Sequence, residues 1–243
     1  MRRTGPLLQR FGLRATRSVG VAAWRLAERA GVDVFGATEV PAVAADAARR
    51  ETFDALVEDA LSRDGVVDVD ACPYPVHELL THVVLEHRLL LHGSNRCELE
   101  VLEPRPARDG ATELLAVAAA DDGIWPLFYA VLARDRVPRI FSACTHLGRP
   151  PGLRRFYVFA IEGEPASQLS WTQGMMYAVP RAGFAREWGN EWVSPHAIRP
   201  ILRVPVRPED FPLRTAVVGL SGPEEFRRVF HHLRAAKRAN VQS

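Results

Sequence analysis

Two short motifs carry the side chains best suited to chemistry. The apolar run Leu89–Leu91 ends in His92-Gly93-Ser94, which leaves an imidazole and a freely bending backbone at the end of an expected strand. A carboxylate follows 99 residues after His92, in Asn190-Glu191-Trp192. Residues that bind or react are often carried by the turns at the ends of regular elements. These two motifs are therefore the first candidates for a shared site.

Histidines at positions 77, 82, 87 and 92 recur every five residues and raise the question of a metal site. His77-Glu78 begins like the HExxH zinc motif, but position i+4 is Thr81 instead of a second histidine. A period of five scatters side chains around a helix and alternates faces on a strand. We therefore expect exposed or hydrogen-bonded histidines and no metal. A metal-dependent hydrolase built on them is the least favoured alternative.

The three cysteines, Cys72, Cys97 and Cys144, are odd in number and form no CxxC pair. This spacing argues against a disulfide framework and against a structural zinc site. Unpaired cysteines are typical of a reducing compartment, so we expect a cytoplasmic protein.

Composition sets broad limits on function. The chain has 243 residues, 47% of them hydrophobic, and a formal net charge of only +2, so its overall charge does not favour nucleic acid as a partner. No apolar run approaches the roughly 20 residues of a transmembrane span. The sequence also lacks a glycine-rich phosphate loop, a GxSxG nucleophile turn and an RNA-binding aromatic signature.

Residues 1–40 form a basic N-terminal segment with arginine but no acid before Glu28. Apolar residues recur there at roughly helical spacing, so the segment is either an amphipathic helix or disordered. One interpretation is contact of residues 1–30 with a membrane surface or a partner, and the other is a helix packed on the domain or a disordered tail. Gly31, Gly36 and Pro41 mark its end.

Residues 41–243 are expected to form one α+β domain. Helices are predicted over 42–64, from the acidic cap Asp121-Asp122 through Trp125 to Leu132, and over 223–239, whereas 77–86 is ambiguous between helix and strand. The predicted strands are Arg88–Leu91, Leu99–Pro106, Glu113–Ala120, Arg139–Thr145, Arg155–Ile161, Gly174–Pro180 and Ile198–Val206, the last as an edge strand because prolines interrupt it.

The order of these pieces resembles the ADP-ribosyltransferase superfamily, in the branch of the poly(ADP-ribose) polymerases and diphtheria-type toxins. Those proteins carry a strand ending in His-Gly-Ser or His-Gly-Thr, a second strand that leads to a helix, and a late strand that opens with a catalytic glutamate. The resemblance covers about residues 84–212 and implies a mixed, largely antiparallel split sheet with N-terminal and C-terminal helices. The stretch 92–105 also looks like bacterial sequences of unassigned function.

The resemblance implies NAD⁺ as the substrate and specific roles for the two motifs. His92 would hydrogen-bond the adenosine ribose, the Gly93 backbone would hold the nicotinamide amide, and Ser94 would support them. Glu191 would bind the nicotinamide ribose and stabilise positive charge as the glycosidic bond breaks. ADP-ribose would pass to a protein, nucleic acid or small-molecule acceptor. His92 and Glu191 are then expected to face one cleft.

The chain departs from the family pattern at the end of the second strand. Members usually have a tyrosine there that stacks on nicotinamide, but this chain has alanines at 118–120. Trp125 or Tyr129 from the following helix, or Tyr177 from another strand, could take its place. The alternative is a non-catalytic binding or interaction module on the same fold.

Overall fold

The computed structural model describes residues 37–41, 46–108, 113–147, 153–188 and 190–225. The predictions for residues 1–36, and for the C-terminal helix beyond residue 225, lie outside these ranges. Within them the structure is a mixed α+β fold with few helices and largely antiparallel sheets, as the strand pattern predicts. Among the described helices, none has the length and apolar character needed to cross a membrane.

Three α-helices are present in the described residues: α1 (Ala47–Ser62), α2 (Val76–Leu85) and α3 (Trp125–Val131). Helix α1 begins where the Asp46 carboxylate accepts a hydrogen bond from the backbone N–H of Arg49 at 2.8 Å, and the chain turns out of it at Gly65, whose φ is +77°. The segment 77–86, ambiguous in sequence, is helical as far as Leu85, and its apolar side chains apart from that of Leu85 pack into the core.

The strands are β1 (Thr38–Pro41), β2 (Leu90–Ser94), β3 (Arg105–Arg108), β4 (Glu113–Ala120), β5 (Ile140–Leu147), β6 (Arg154–Glu162), β7 (Gly174–Val179), β8 (Ala185–Trp188), β9 (Glu191–Ser194), β10 (Leu202–Val206) and β11 (Val218–Leu220). Strand β1 shows that the chain joins a sheet before the predicted end of the N-terminal segment at residue 40.

The strands form two sheets. The first has β5 on one edge of β6, with β1 and β11 sharing its other edge. The second has the order β10-β7-β2-β4-β9-β8, with β3 beside the first half of β4. All pairs between these strands are antiparallel except β11 with β6, and a parallel bridge also joins Val66 to Arg203 of β10. Strand β10 lies at an edge, as its prolines predict.

The main core lies between the second sheet, the three helices and β6. It contains the fully buried side chains of Phe53, Leu79, Leu91 and Phe128, among others. A smaller apolar cluster, which includes Val117 and Tyr177, covers the opposite face of the second sheet. Strand β7 is buried on both faces, which explains its uninterrupted run of apolar residues.

Candidate functional site

The strands that carry the two sequence motifs are close neighbours. Strand β2 pairs with β4 through Leu91 and Ala120, and Ala120 pairs in turn with Glu191 of β9. Adjacent strands lie about 4.8 Å apart, so the Cα atoms of Leu91 and Glu191 are separated by about 10 Å. The fold therefore brings the His-Gly-Ser strand, the second strand and the glutamate strand side by side.

The pleat nevertheless directs His92 and Glu191 to opposite faces of the sheet. Directly paired residues share a face and successive residues alternate, so Glu191 lies on the face of Leu91 and Ala120. His92 pairs with Tyr177 on the other face, where their ring centroids are 6.4 Å apart. The expectation that His92 and Glu191 face one cleft is wrong, because they differ by one position in register.

His92 bridges the two strands where their pairing ends. Leu91 and Ala120 are the single residue pair in register between β2 and β4. Immediately beyond it, His92 Nδ1 lies 2.7 Å from the carbonyl oxygen of Ala118, to which it donates a hydrogen bond. Burial lowers the pKa of His92 despite this bond. The imidazole is therefore neutral at pH 7, with its proton on Nδ1.

Gly93 and its neighbours hold helix α3 against the sheet. A Cβ atom at Gly93 would overlap the carbonyl oxygen of Pro126 and lie 3.0 Å from the backbone nitrogen of Ala130. Asn95 donates from Nδ2 to the carbonyl oxygen of Ala130 at 2.7 Å, which satisfies a group left unpaired at the helix end. Ser94 accepts a hydrogen bond from the backbone N–H of Arg96 at 3.1 Å. The motif thus has a structural role that the sequence did not reveal.

Tyr177 is an internal structural residue. Its side chain is fully buried, and its hydroxyl donates to the carbonyl oxygen of Arg96 at 2.6 Å while accepting from the backbone N–H of Leu99 at 3.0 Å. Burial raises the pKa of this hydroxyl. The expectation that Tyr177 stacks on a ligand ring is therefore wrong, because its ring and hydroxyl are enclosed by the protein.

We call one group of side chains between the two sheets the inter-sheet site: Glu191, Trp125, Tyr129, Ser142 and Cys144. Trp125 and Tyr129 extend from α3, on the Glu191 face of the sheet, and both contact the Ser142 hydroxyl on β5: Trp125 Nε1 donates at 2.8 Å and the Tyr129 hydroxyl lies at 2.6 Å. Burial chiefly, and the nearby Glu191 carboxylate to a smaller degree, raise the pKa of Tyr129. All five residues are partly buried.

Asn190 connects β9 to the first sheet at this point. The residue is buried, and its Nδ2 lies 3.2 Å from the sulfur of Cys144. Burial raises the pKa of the Cys144 thiol well above its usual value, and the Asp122 carboxylate raises it further. Cys144 is therefore a protonated thiol at neutral pH and is unsuited to act as a nucleophile.

Behind the site, Asp122 organises a buried polar group. Its Oδ2 accepts hydrogen bonds from His146 Nε2 at 2.7 Å and from the Tyr157 hydroxyl at 2.8 Å. Its Oδ1 accepts from the backbone N–H groups of Ile124 at 2.8 Å and Trp125 at 2.6 Å, at the start of α3, as its predicted capping role requires. Burial alone would raise the pKa of Asp122, but these partners together lower it.

The sequence held a signal for part of this arrangement. Ser142, Cys144 and His146 alternate along β5 and so lie on one face of it. Such a row of polar side chains on one face of a strand indicates that this face meets polar groups. The sequence did not show which groups they contact, because Asp122 and Asn190 lie in connections next to other strands and Trp125 lies on a helix.

Two groups of residues in the described ranges have side chains close enough to hold a metal ion: Asp122, Cys144 and His146, and separately Asp54, His82 and His87. A five-residue period separates histidine side chains only where one regular element carries all of them. Helix α2 ends at Leu85, so His82 and His87 belong to different segments.

Comparison with known protein families, with characterised proteins and with solved structures finds no match to this chain. A functional assignment therefore depends on the sequence motifs and on the geometry described above.

Proposed function

We propose that this protein is an ADP-ribosyltransferase-like enzyme that binds NAD⁺ at the inter-sheet site without the His92 contact that the family resemblance implies, because His92 and Glu191 lie on opposite faces of the sheet. The observation that carries the proposal is the position of Glu191. It is the first residue of β9, next to the strand that neighbours the His-Gly-Ser strand, and it shares its side of the sheet with Trp125 and Tyr129. The site thus supplies the carboxylate and the aromatic rings that such chemistry uses.

In this proposal the Glu191 carboxylate stabilises the positive charge that develops on the ribose during the reaction. The bond between nicotinamide and its ribose breaks, nicotinamide leaves with the bonding electrons, and positive charge develops on the ribose. A carboxylate next to that ribose stabilises the charge more in the transition state than in the bound substrate. The ADP-ribose then bonds to a nucleophilic atom of the acceptor, which releases a proton. The acceptor is a protein, a nucleic acid or a small molecule.

Trp125 and Tyr129 take the place of the tyrosine that the family carries at the end of its second strand. The chain has alanine at 118–120, and the following helix presents the two aromatic rings on the Glu191 side of the sheet. Either ring offers a flat surface for nicotinamide.

His92 is a positioning residue in this proposal. Its imidazole donates to the Ala118 carbonyl and lies on the face opposite Glu191, so it holds β2 beside β4. Gly93 and Ser94 also have positioning roles. Gly93 allows α3 to pack closely against β2, and the Ser94 hydroxyl accepts a hydrogen bond in the turn that follows.

A non-catalytic binding module on the same fold is the second candidate. The observation that favours it is the hydrogen bonding of Trp125 and Tyr129 to Ser142, which fixes both rings in the structure as it stands. A module of this kind binds NAD⁺ or a related nucleotide without breaking the glycosidic bond.

The test uses the full chain with NAD⁺, measuring binding by calorimetry and nicotinamide release by chromatography. We expect Glu191→Gln to reduce release by roughly 100- to 1,000-fold, the typical effect of removing one transition-state interaction. Glu187→Gln is the matched control, because Glu187 is an exposed carboxylate on the neighbouring strand β8. Its release rate should equal that of the wild type.

The outcomes separate the candidates. Binding without nicotinamide release supports the binding module and contradicts the enzyme. Release that Glu191→Gln leaves unchanged contradicts the role of Glu191. If wild-type protein neither binds NAD⁺ nor releases nicotinamide, both candidates are wrong.

A further inference from the structure

A second polar cluster lies away from the inter-sheet site, where α1 meets the end of α2. Asp54 is on α1 and His82 is in the last turn of α2. His87 follows two residues after the helix ends at Leu85, and the chain then turns through Arg88, whose φ is +56°. The end of the helix leaves the His87 ring beside that of His82, with ring centroids 5.5 Å apart.

Both imidazoles direct the same ring nitrogen at one carboxylate oxygen. Nε2 of His82 lies 2.7 Å from Asp54 Oδ1, and Nε2 of His87 lies 3.1 Å from the same atom. The metal-binding atoms of all three residues lie within 4.8 Å of one another. Two nitrogens and an oxygen therefore surround one small volume.

These separations suit a shared metal ion. Zinc lies about 2.0–2.1 Å from imidazole nitrogen and about 2.0–2.2 Å from carboxylate oxygen. Ligands at those distances, separated by angles of 90–110°, are about 3.0–3.4 Å apart. The observed nitrogen–oxygen distances of 2.7 and 3.1 Å are close to that range, so small side-chain rotations suffice to admit an ion.

The three side chains also differ in burial, as expected for a metal site with one buried ligand and two that solvent can reach. The His82 side chain is 2% exposed, and its ring lies 5.4 Å from that of Phe53, so it is held rigidly. The side chains of Asp54 and His87 are 47% and 26% exposed. The cluster thus has one fixed ligand and an open side through which an ion enters and water completes its coordination.

We propose that Asp54, His82 and His87 bind a divalent transition-metal ion of the zinc type. Two imidazoles and one carboxylate suit Zn²⁺, Co²⁺ or Fe²⁺, whereas Mg²⁺ prefers oxygen ligands alone. Each imidazole coordinates through the Nε2 lone pair and carries its proton on Nδ1. The bound ion links α1 to the turn that precedes β2. This site is independent of the proposed NAD⁺ chemistry, because none of its residues lies in the inter-sheet site.

The test begins with full-length protein stripped of metal by a chelator. Zn²⁺ is added, excess ion is removed by gel filtration, and bound zinc is counted by mass spectrometry. We expect one equivalent in the wild type and none in His87→Ala or Asp54→Ala. His77→Ala is the matched control, because it removes a histidine from the same helix α2 but outside the cluster. It should retain one equivalent.

Thermal unfolding gives a second readout that does not depend on recovery of the ion. At Zn²⁺ concentrations about 100 times Kd, the wild-type Tm should rise by roughly 5–10 °C, while Mg²⁺ should leave it unchanged. His87→Ala should keep the Tm of metal-free wild type and lose the rise, since His87 is partly exposed.

Cys144→Ser distinguishes this cluster from the other group with metal-ligand geometry. Zinc that is lost in Cys144→Ser but kept in His87→Ala overturns the proposal in favour of the group around Asp122. Wild-type protein that holds no zinc overturns it outright, leaving two Nε2–H groups that donate to the Asp54 carboxylate.

Discussion

Replacing Gly93 by alanine separates two reasons for a glycine in the His-Gly-Ser motif. The family resemblance attributes this glycine to close approach of nicotinamide, whereas the structure attributes it to close approach of helix α3. A Cβ atom would overlap the Pro126 carbonyl oxygen and lie 3.0 Å from the Ala130 nitrogen. These are backbone atoms of a packed helix, so they cannot rotate away as a flexible side chain would.

The size of the effect follows from this packing. Gly93 lies in a strand and is not among the glycines with positive φ, so alanine meets no conformational penalty of its own there. Adding a methyl group to a well-packed interior typically costs about 1–3 kcal/mol. Because backbone atoms lie on the path of the new methyl group, we expect a loss near 3 kcal/mol. For a chain of this length the Tm then falls by about 6–12 °C.

Urea unfolding followed by circular dichroism measures this loss for Gly93→Ala. Gly222→Ala is the matched control, since a Cβ atom there has no neighbour within 4 Å, and its unfolding free energy should change by less than about 0.5 kcal/mol. A Gly93→Ala protein as stable as the wild type but unable to bind NAD⁺ would refute the packing explanation and restore the ligand-based one.

Two further substitutions test the buried polar contacts. Tyr177→Phe should lower the unfolding free energy by about 1–3 kcal/mol, because the backbone groups of Arg96 and Leu99 lose their buried partner, and it should leave NAD⁺ affinity unchanged. Asp122→Asn should cost about 2–3 kcal/mol at pH 7, and this difference should shrink as the pH falls below about 4. The folded-state pKa of Asp122 is lowered, so its contribution is present above the unfolded-state pKa and is lost as the pH falls through the folded-state value. Stability curves of both proteins from pH 7 to pH 2 check this, and a constant difference across that range would contradict it.

Local patterns predicted seven of the eleven described strands, although the strand predicted at Leu99–Pro106 overlaps β3 at only two residues, and they missed β1, β8, β9 and β11. Strand β4 spans Glu113–Ala120, as its run of small apolar residues indicates, and β6 differs from its predicted range by one residue at each end. The start of α3 follows from Asp122 and Pro126, because a carboxylate capping backbone N–H groups and a proline in the first turn act within a few residues. Such signals depend only on neighbours in the chain.

The relation between the two motifs needed information that neither motif contains. His92 and Glu191 belong to strands separated by β4, and their relative orientation depends on the registers of two strand pairs. A shift of one residue in either register exchanges the faces of the sheet. The apolar run before His92 placed that residue at a strand end, and the family resemblance placed Glu191 at another, but neither could show that the two side chains lie on opposite faces of the sheet.

The sequence by itself determined the α+β class, strands such as β4, β6 and β7, the start of α3, and the candidate residues at positions 92 and 191, because hydrophobic period and capping act over a few residues. The tertiary structure alone decided that Gly93 accommodates a helix, that Tyr177 is enclosed, that Trp125 and Tyr129 accompany Glu191, and that Asp54 joins His82 and His87. These are contacts between segments 28 or more residues apart, such as Asp54 with His82. They depend on how sheets and helices pack together, which no local pattern specifies.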